Sequence, residues 1–229
     1  MITLYQFESY QGLNSPFCMK VEGYCKLAKV PYRVVSTLAH KGPRGKLPFI
    51  EDNGKIIADS GFILSYLKEN YGDPLDNALT EAQKALGHLL TQACEESLYF
   101  VFVYARWSDE RYWSQTKQMF FSALPPLVKD IIPAMIRRSN RKALYAQGYG
   151  RLTQEEIYQM GKEDIDAIAT FLKKTPYAVA DYPTSYDAML YGFLANIIKI
   201  EAQTPLKEAA LSHPVLSDYV ARMDTLLNG

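Results

Sequence analysis

A serine and a cysteine lie three residues apart in the run Ser15-Pro16-Phe17-Cys18, where a predicted strand gives way to a predicted helix. The backbone N–H groups and the positive dipole end of such a helix point at whatever binds there, and they stabilise a thiolate. Because Ser15, the first residue of this run, carries a hydroxyl and not a thiol, disulfide reduction by a thiol at position 15 is excluded. Ser15 and Pro16 also fit an ordinary helix start, with serine as N-cap and proline in the first turn.

Two further segments have the composition of a binding site. In Lys46-Leu47-Pro48-Phe49, a proline leads from a loop into a predicted strand. The peptide bond before it is a candidate for the cis form, which about 5–6% of X–Pro bonds adopt in folded proteins. In Ala58-Asp59-Ser60, the polar pair opens a predicted helix, so we expect Ser60 to cap that helix and the free amides to attract an anion.

The elements around these segments alternate between strand and helix. The β-branched and aromatic runs predict strands, and the apolar spacing of three and four residues predicts helices. A strand–helix–strand crossover followed by a hairpin favours a mixed sheet covered by helices, which is the thioredoxin-like layout. The predicted strands cover 2–7, 32–36, 49–52 and 55–57, and the predicted helices begin at Pro16 and cover 60–71.

The second half of the chain has the pattern of an all-helical unit. The segment 72–79 carries Gly, Asp, Pro and Asn between two helical patterns, which makes it the linker candidate. We therefore predict an α/β thioredoxin-like domain over 1–74 and an all-α domain over 80–229. Three helix starts have capping-box spacing, namely Thr80 with Gln83, Thr153 with Glu156 and Thr184 with Asp187.

Composition excludes several classes of function. Lys plus Arg equals Asp plus Glu at 25 each, so no global field favours nucleic acid. The chain starts without a signal-peptide pattern, and its longest strongly apolar stretch, 98–105, is too short to span a bilayer. Three scattered cysteines suit a reducing compartment, so we expect a cytoplasmic protein. The cysteines and histidines have no zinc spacing, so we expect no metal.

The three polar segments, in this order and spacing, resemble the glutathione S-transferase superfamily. The resemblance spans nearly the whole chain, and several phrases are closest to the failed-axon-connections and metaxin-like branch. These phrases are Gly42-Pro43-Arg44-Gly45-Lys46-Leu47-Pro48-Phe49-Ile50, Gly148-Tyr149-Gly150-Arg151 with Glu155-Glu156, and Pro183-Thr184-Ser185-Tyr186-Asp187-Ala188.

The resemblance implies a glutathione site and a conjugation reaction of the detoxification type. The backbone at the position matching Leu47 would bind the cysteinyl part of glutathione, next to a cis bond at Pro48. Asp59 and Ser60 would hold the γ-glutamyl end, and Ser15 would donate a hydrogen bond to the sulfur. Glutathione would be the co-substrate, a small electrophile the second substrate, and a homodimer the assembly.

Two departures from the superfamily pattern leave alternatives open. Only 37–47 separate the second strand from Pro48, so the helix expected there is short or missing. The glycyl carboxylate of glutathione would then need other cations, and the candidates are His40, Lys41, Arg44 and Lys46. The loop 8–14 is long, which lets Tyr10 or Asn14 approach the sulfur instead of Ser15.

An aromatic stretch in the helical half predicts either core packing or the wall of an apolar substrate site. It consists of Tyr99, Phe100, Phe102, Tyr104 and Trp107. For Arg106 and Arg111 beside it, we expect solvated or ion-paired roles, with an anionic co-substrate as the alternative. We interpret the Thr184 and Asp187 pair as structural.

Three functions compete on the sequence. The leading hypothesis is an enzyme that lowers the thiol pKa of glutathione and adds it to an electrophile. The second is a non-catalytic adaptor that keeps the fold with a degenerate thiol site. The third is a thiol transferase that uses Cys18, which we expect to be half-buried one turn inside its helix.

Overall fold

The computed structural model describes residues 1–122 and 124–228; Ala123 and Gly229, which belong to the predicted unit 80–229, lie outside the described residues. The first half contains one sheet of four strands in the order β2-β1-β3-β4. Strand β1 pairs parallel with β2 and antiparallel with β3, and β3 pairs antiparallel with β4. The strands are β1 (Ile2–Gln6), β2 (Tyr32–Ser36), β3 (Phe49–Asp52) and β4 (Lys55–Ala58).

Two helices pack on this sheet and complete the predicted thioredoxin-like unit. Helix α1 (Pro16–Leu27) connects β1 to β2, and α2 (Ser60–Tyr71) follows β4. Ile2 and Leu4 of β1 and Ile50 of β3 are fully buried with Ile63 and Leu67 of α2. The core of this half thus includes Ile63 and Leu67 as predicted, whereas Tyr71, which the helical spacing predicts to face inward, is exposed.

The described residues after Thr80 contain helices and no strand, which confirms the predicted fold class. All three predicted capping boxes are present. In the described parts of the chain, we find no helix with the length and apolar character needed to cross a membrane. The helices are α3 (Glu81–Gln92), α4 (Tyr99–Val103), α5 (Glu110–Phe121), α6 (Ile131–Gln147), α7 (Gln154–Leu172), α8 (Ser185–Ile198), α9 (Pro205–Leu211) and α10 (Pro214–Asn228), with π-helical segments at Ala93–Leu98 and Tyr104–Ser108.

The linker candidate is tied to the helical half by a buried carboxylate. Asp76 accepts hydrogen bonds from the backbone N–H of Ser185, at 2.9 Å, and from the Ser185 hydroxyl and the Lys68 ammonium. The segment is therefore held in place by charge-assisted bonds that cap α8. The division at 72–79 stays a prediction.

A second buried carboxylate fixes the start of α8. Asp187 accepts hydrogen bonds from the backbone N–H groups of Ala178, at 2.7 Å, and Thr184, at 2.8 Å, and from the Tyr219 hydroxyl at 3.0 Å. Burial raises the pKa of the Asp187 carboxyl above its usual range, although these hydrogen bonds oppose the shift. Because its oxygens are occupied by the protein's own donors, Asp187 is structural, as the sequence analysis interprets it.

Helices α1 and α8 approach each other through small residues. A Cβ atom on Gly192 of α8 would lie 2.7 Å from the Pro16 carbonyl oxygen and 3.3 Å from the Met19 side chain. One turn earlier on α8, Ala188 lies 3.3 Å from where a Cβ on Gly23 would be. Only glycine at 192 allows the backbone of α8 to sit against the first turn of α1.

We predict that Gly192→Ala lowers the free energy of unfolding by about 1–3 kcal/mol, because the added methyl group would overlap the backbone of α1. The loss should appear although alanine is the better helix former by about 1 kcal/mol. Denaturant titration measures it. Gly61→Ala is the matched control, since its Cβ would meet only the Asp59 carboxylate at 3.4 Å. Equal stability changes for the two variants would contradict the close contact.

Candidate functional site

The register of the sheet brings the three polar segments to one end. Tyr5 of β1 lies opposite Phe49 of β3, and Phe49 lies opposite Ala58 of β4. The chain leaves β1 just beyond Tyr5, enters β3 just before Phe49, and leaves β4 after Ala58. The loop to Ser15, the Leu47-Pro48 segment and the Asp59-Ser60 pair are therefore neighbours at this end, which we call the sheet end.

The Leu47-Pro48 segment forms the middle of the sheet end. The peptide bond between them is cis, which confirms the prediction from the sequence. Leu47 is buried against Cys18 of α1 and Phe49. Within the described chain, neither its backbone N–H nor its C=O has a hydrogen-bond partner. Its main chain is thus free to pair with an extended peptide.

The Asp59-Ser60 pair starts α2, but the capping residue differs from the one predicted. Asp59, and not Ser60, is the N-cap, and its carboxylate accepts from the Gly61 N–H at 3.0 Å. Ser60 is the first residue of the helix and is buried. Asp59 has φ of +86°, a backbone conformation that residues other than glycine rarely adopt. Such strained residues cluster at ligand sites, so the outlier supports a binding role for this turn.

Ser15 is the N-cap of α1, but its hydroxyl makes no capping hydrogen bond to the backbone N–H groups of the helix. Its backbone N–H instead donates to the Asn14 side-chain oxygen at 2.7 Å, and the Asn14 amide donates to the Phe7 carbonyl at 2.7 Å. Asn14 therefore fixes the loop, while the half-buried Ser15 hydroxyl bonds none of the backbone N–H groups of the helix. Since Asn14 is buried and engaged on both sides, it positions Ser15 and does not replace it.

Tyr10 lies in a tight turn of the loop 8–14. Its backbone exchanges two hydrogen bonds of 2.8 Å with Leu13, and Gln11 and Gly12 between them both have positive φ. This is the geometry of a two-residue type I′ turn. Residues that lie directly opposite each other in an antiparallel pair project from the same face. Tyr10 and Leu13 therefore project from one face, and Leu13 packs there against the core of the helical half. Tyr10 thereby stays a candidate for contact with a ligand at the sheet end.

Cys18 is fully buried, whereas the sequence analysis expects it half-buried. Burial raises the pKa of its thiol to about 12, although hydrogen bonds with the Phe7 backbone and the Ser15 side chain oppose the shift. Cys25 and Cys94 are buried too, and all three are free thiols. In the described chain, no group of three or more His, Cys, Asp and Glu side chains could hold a metal ion.

The basic residues predicted for the glycyl carboxylate lie on the surface next to Leu47. The stretch 37–47 contains only a single 3₁₀ turn, Ala39–Lys41, so the missing helix is confirmed. His40, Lys41, Arg44 and Lys46 are exposed. The Arg44 guanidinium lies 5.4 Å from the ring centre of Phe62, in the first turn of α2. This contact places Arg44 against the helix that the Asp59-Ser60 turn begins.

One residue that positions the site, Asn196, is not among those predicted from the sequence. Asn196 of α8 is buried, and its amide donates to the carbonyl of Asn14 and to that of Gly192, both at 2.8 Å. A hydrogen bond thus joins the helical half to the residue before Ser15. The sequence does contain a sign of this role, because Asn196 is the one amide side chain in the apolar run 191–198 of α8. A polar group that is buried among apolar residues needs hydrogen-bond partners.

The aromatic stretch both packs the core and reaches the sheet end. Phe102 is buried, and the other four aromatic residues are half-buried against the core of the helical half. Phe17, next to Ser15 and Pro16, packs edge to face on Tyr99 with a centroid distance of 5.1 Å. The aromatic stretch therefore contacts the first turn of α1.

Arg111 and Arg106, the two arginines near this aromatic stretch, differ in burial and in ion pairing. Arg111 pairs with the buried Asp109 at 2.7 Å, as expected for an ion-paired residue. Arg106 is buried and, among the described residues, forms no ion pair, so the expectation of a solvated or paired role is wrong for Arg106.

Comparisons with known proteins relate both halves of the chain to the same family. Residues 16–112 match the family described as the glutathione S-transferase N-terminal domain, and residues 161–223 match the glutathione S-transferase C-terminal domain. An isoprene-epoxide–glutathione S-transferase from Rhodococcus sp. is 30% identical over 97% of this chain and 98% of that protein. Failed axon connections of Drosophila melanogaster is 29% identical over 97% of this chain and 57% of that protein, and human metaxin-2 is 24% identical over 91% and 77%.

Solved structures share the same fold. The β-etherase of a Sphingobium strain superposes with a TM-score of 0.67 at 15% identity, over 97% of this chain and 94% of that chain. A glutathione transferase of Bombyx mori gives 0.65 at 18% identity, over 99% and 88%.

We predict that the folded protein resists alkylation of its thiols. In iodoacetamide at pH 8, none of the three cysteines should react at an appreciable rate, because each is buried and its pKa is raised. Unfolding in guanidinium should expose all three, which mass spectrometry can count. Rapid labelling of one thiol that Cys18→Ala abolishes would contradict the buried geometry and restore the thiol-transferase hypothesis.

Proposed function

Because the chain belongs to the glutathione S-transferase superfamily, with relatives in its failed-axon-connections and metaxin-like branch, we propose that it binds glutathione and transfers it to a small electrophile. The observation that carries the proposal is the sheet register, which gathers Ser15, the unpaired main chain of Leu47 and the Asp59-Ser60 turn at one end of the sheet. These three features match the parts of a tripeptide thiol.

Each part of glutathione has a matching group in this proposal. The free N–H and C=O of Leu47 pair with the cysteinyl main chain, as strand pairing would. The amides at the start of α2, with the Ser60 hydroxyl, bind the γ-glutamyl carboxylate, and the nearby Asp59 carboxylate attracts its ammonium group. Lys46 and Arg44 are the cations for the glycyl carboxylate.

The proposed chemistry depends on ionising the thiol. A free thiol has a pKa of about 8.5, and a helix N-terminus lowers it by favouring the thiolate. The Ser15 hydroxyl donates a hydrogen bond to the sulfur, and each unit by which the pKa falls corresponds to about 1.4 kcal/mol of preferential thiolate stabilisation. The thiolate then attacks the electrophile.

The first electrophile to test is a small epoxide, because the Rhodococcus relative is named for the epoxide of isoprene. The thiolate sulfur attacks an epoxide carbon, the carbon–oxygen bond breaks, and the alkoxide oxygen takes a proton from water. Phe17, two residues after Ser15, and Tyr99, on which it packs, are the apolar side chains proposed to border such a substrate. Cys18 takes no part, because its thiol is buried and its pKa is raised to about 12.

We also propose a cytoplasmic homodimer. Three free and buried cysteines fit a reducing compartment. The family relationship is the reason for proposing two copies of the chain.

The test of this function is calorimetric titration with glutathione, followed by turnover of an epoxide and an aryl halide. We expect micromolar to low-millimolar binding and a measurable conjugation rate. Absence of glutathione binding would overturn the enzyme and leave the adaptor hypothesis.

We predict that Ser15→Ala lowers kcat about 10–150-fold at neutral pH and changes the glutathione Kd little. A hydrogen bond to a charged acceptor contributes about 1.5–3 kcal/mol, and this one would act on the thiolate alone. Raising the pH should restore part of the rate, because glutathione then ionises without help. Pre-steady-state and steady-state kinetics across pH measure this.

Cys18→Ala is the matched control and should retain conjugation. Tyr10→Phe tests the second hydroxyl of the loop. If Ser15→Ala kept its pH–rate profile and Tyr10→Phe lost activity, the hydroxyl that assists the sulfur would be that of Tyr10.

A further inference from the structure

A positive charge is buried in the helical half without a negative partner. Arg106, in the π-helical segment Tyr104–Ser108, is 8% exposed, and among the described residues it forms no ion pair. Its hydrogen bond is to the Asn196 side-chain oxygen, at 3.3 Å. The Nε atom is buried with no hydrogen-bond partner in the described chain. Buried arginine is normally paired, so this arrangement is incomplete.

Aromatic rings lie over the guanidinium and leave its Nε edge without a partner among the described residues. The Arg106 guanidinium carbon lies 4.1 Å from the ring centre of Phe102 and 5.1 Å from that of Phe120. The N–H donors of a guanidinium lie in its plane. The rings therefore stabilise the cation without satisfying its donors, and a partner has to approach along the edge.

A small cavity lies beside Arg106. Its volume is about 20 Å³, which is room for one water molecule or one ion of similar size. Its wall contains Tyr112, Thr116, Asn196 and Thr204 as polar residues, and neither an aspartate nor a glutamate. The cavity thus combines a cationic edge with hydroxyl and amide groups, and it contains no competing carboxylate.

A second buried cation lies next to the same cavity. Lys207 is 8% exposed, and its ammonium donates to the carbonyl of Ile200, which lines the cavity. In the described chain, Lys207 forms no salt bridge. Burial lowers the pKa of the Arg106 guanidinium to about 9, so this group remains charged at pH 7. Among the described residues, Arg106 is therefore the one positively charged residue of the cavity wall, and Lys207 is bonded to the main chain of a neighbouring wall residue, Ile200.

We propose that this cavity binds a monovalent anion, either a halide ion or the carboxylate group of a small molecule. The shared chemistry is one negative charge whose acceptor atoms lie in the plane of the Arg106 guanidinium. The anion neutralises a buried cation whose partner, Asn196, is bonded to the carbonyl of Asn14. Binding therefore stabilises the arrangement that holds the loop before Ser15. The site does not depend on glutathione binding.

The test is thermal unfolding of the whole protein in sulfate buffer, with bromide, chloride, formate or acetate added at constant ionic strength. Sulfate serves as the background anion because it is divalent, whereas the proposed site neutralises a single positive charge. We expect a saturable rise of the unfolding temperature, about 5 °C or more at a hundredfold excess over Kd. A rise with bromide and chloride alone would identify a halide site, and a rise with formate and acetate alone would identify a carboxylate site. A rise with all four anions would indicate that the site recognises their shared chemistry, a single negative charge.

Arg106→Met should abolish the saturable rise, whereas Arg138→Met, which removes an exposed arginine, should retain it. A crystal soaked in bromide gives a readout that does not depend on the folding of a variant, and its anomalous signal should lie beside Arg106. An equal response of the wild type and Arg106→Met, or no saturable response together with no anomalous peak, would overturn the proposal.

Discussion

Helix α8 lies so close to α1 that Gly192 has no room for a side chain, and this contact sets the position of the whole sheet end. The same face of α8 carries Asn196, whose amide holds the carbonyl of Asn14. Asn14 in turn holds the N–H of Ser15 and the carbonyl of Phe7. A chain of buried hydrogen bonds therefore connects the helical half to the first residue of the proposed thiol site. Buried networks of this kind favour a single arrangement because a missing partner is costly.

Two buried carboxylates keep α8 in the position that this contact requires. Asp187 accepts hydrogen bonds from the backbone N–H groups of Ala178 and Thr184, which precede α8. Asp76, which lies in the linker segment, accepts from the backbone N–H of Ser185, the first residue of α8. Helix N-termini favour negative charge, so both carboxylates stabilise the same end of the same helix. The proposed catalytic hydroxyl of Ser15 thus depends on residues that never touch a substrate.

Local patterns in the sequence predict the elements, and long-range contacts decide the details of the site. Strands 32–36 and 49–52, helix 60–71 and the three capping boxes follow from periodicity and capping chemistry, which act over a few residues. The N-cap at Asp59 depends on its backbone conformation, and the burial of Cys18 depends on packing against Leu47, so neither follows from spacing. The surroundings of Arg106 also depend on packing, since its hydrogen-bond partner Asn196 lies 90 residues away in the chain.

The most direct measurement of the central claim is the ultraviolet titration of the thiol of glutathione bound to this protein. The account predicts that the bound thiol ionises below the free value of about 8.5, and that Asn196→Ala moves the pKa back toward that value while glutathione still binds. The first result would indicate that the start of α1 stabilises the thiolate, and the second that the contact with α8 positions it. A bound thiol that titrates at the free value in the wild type would contradict the account.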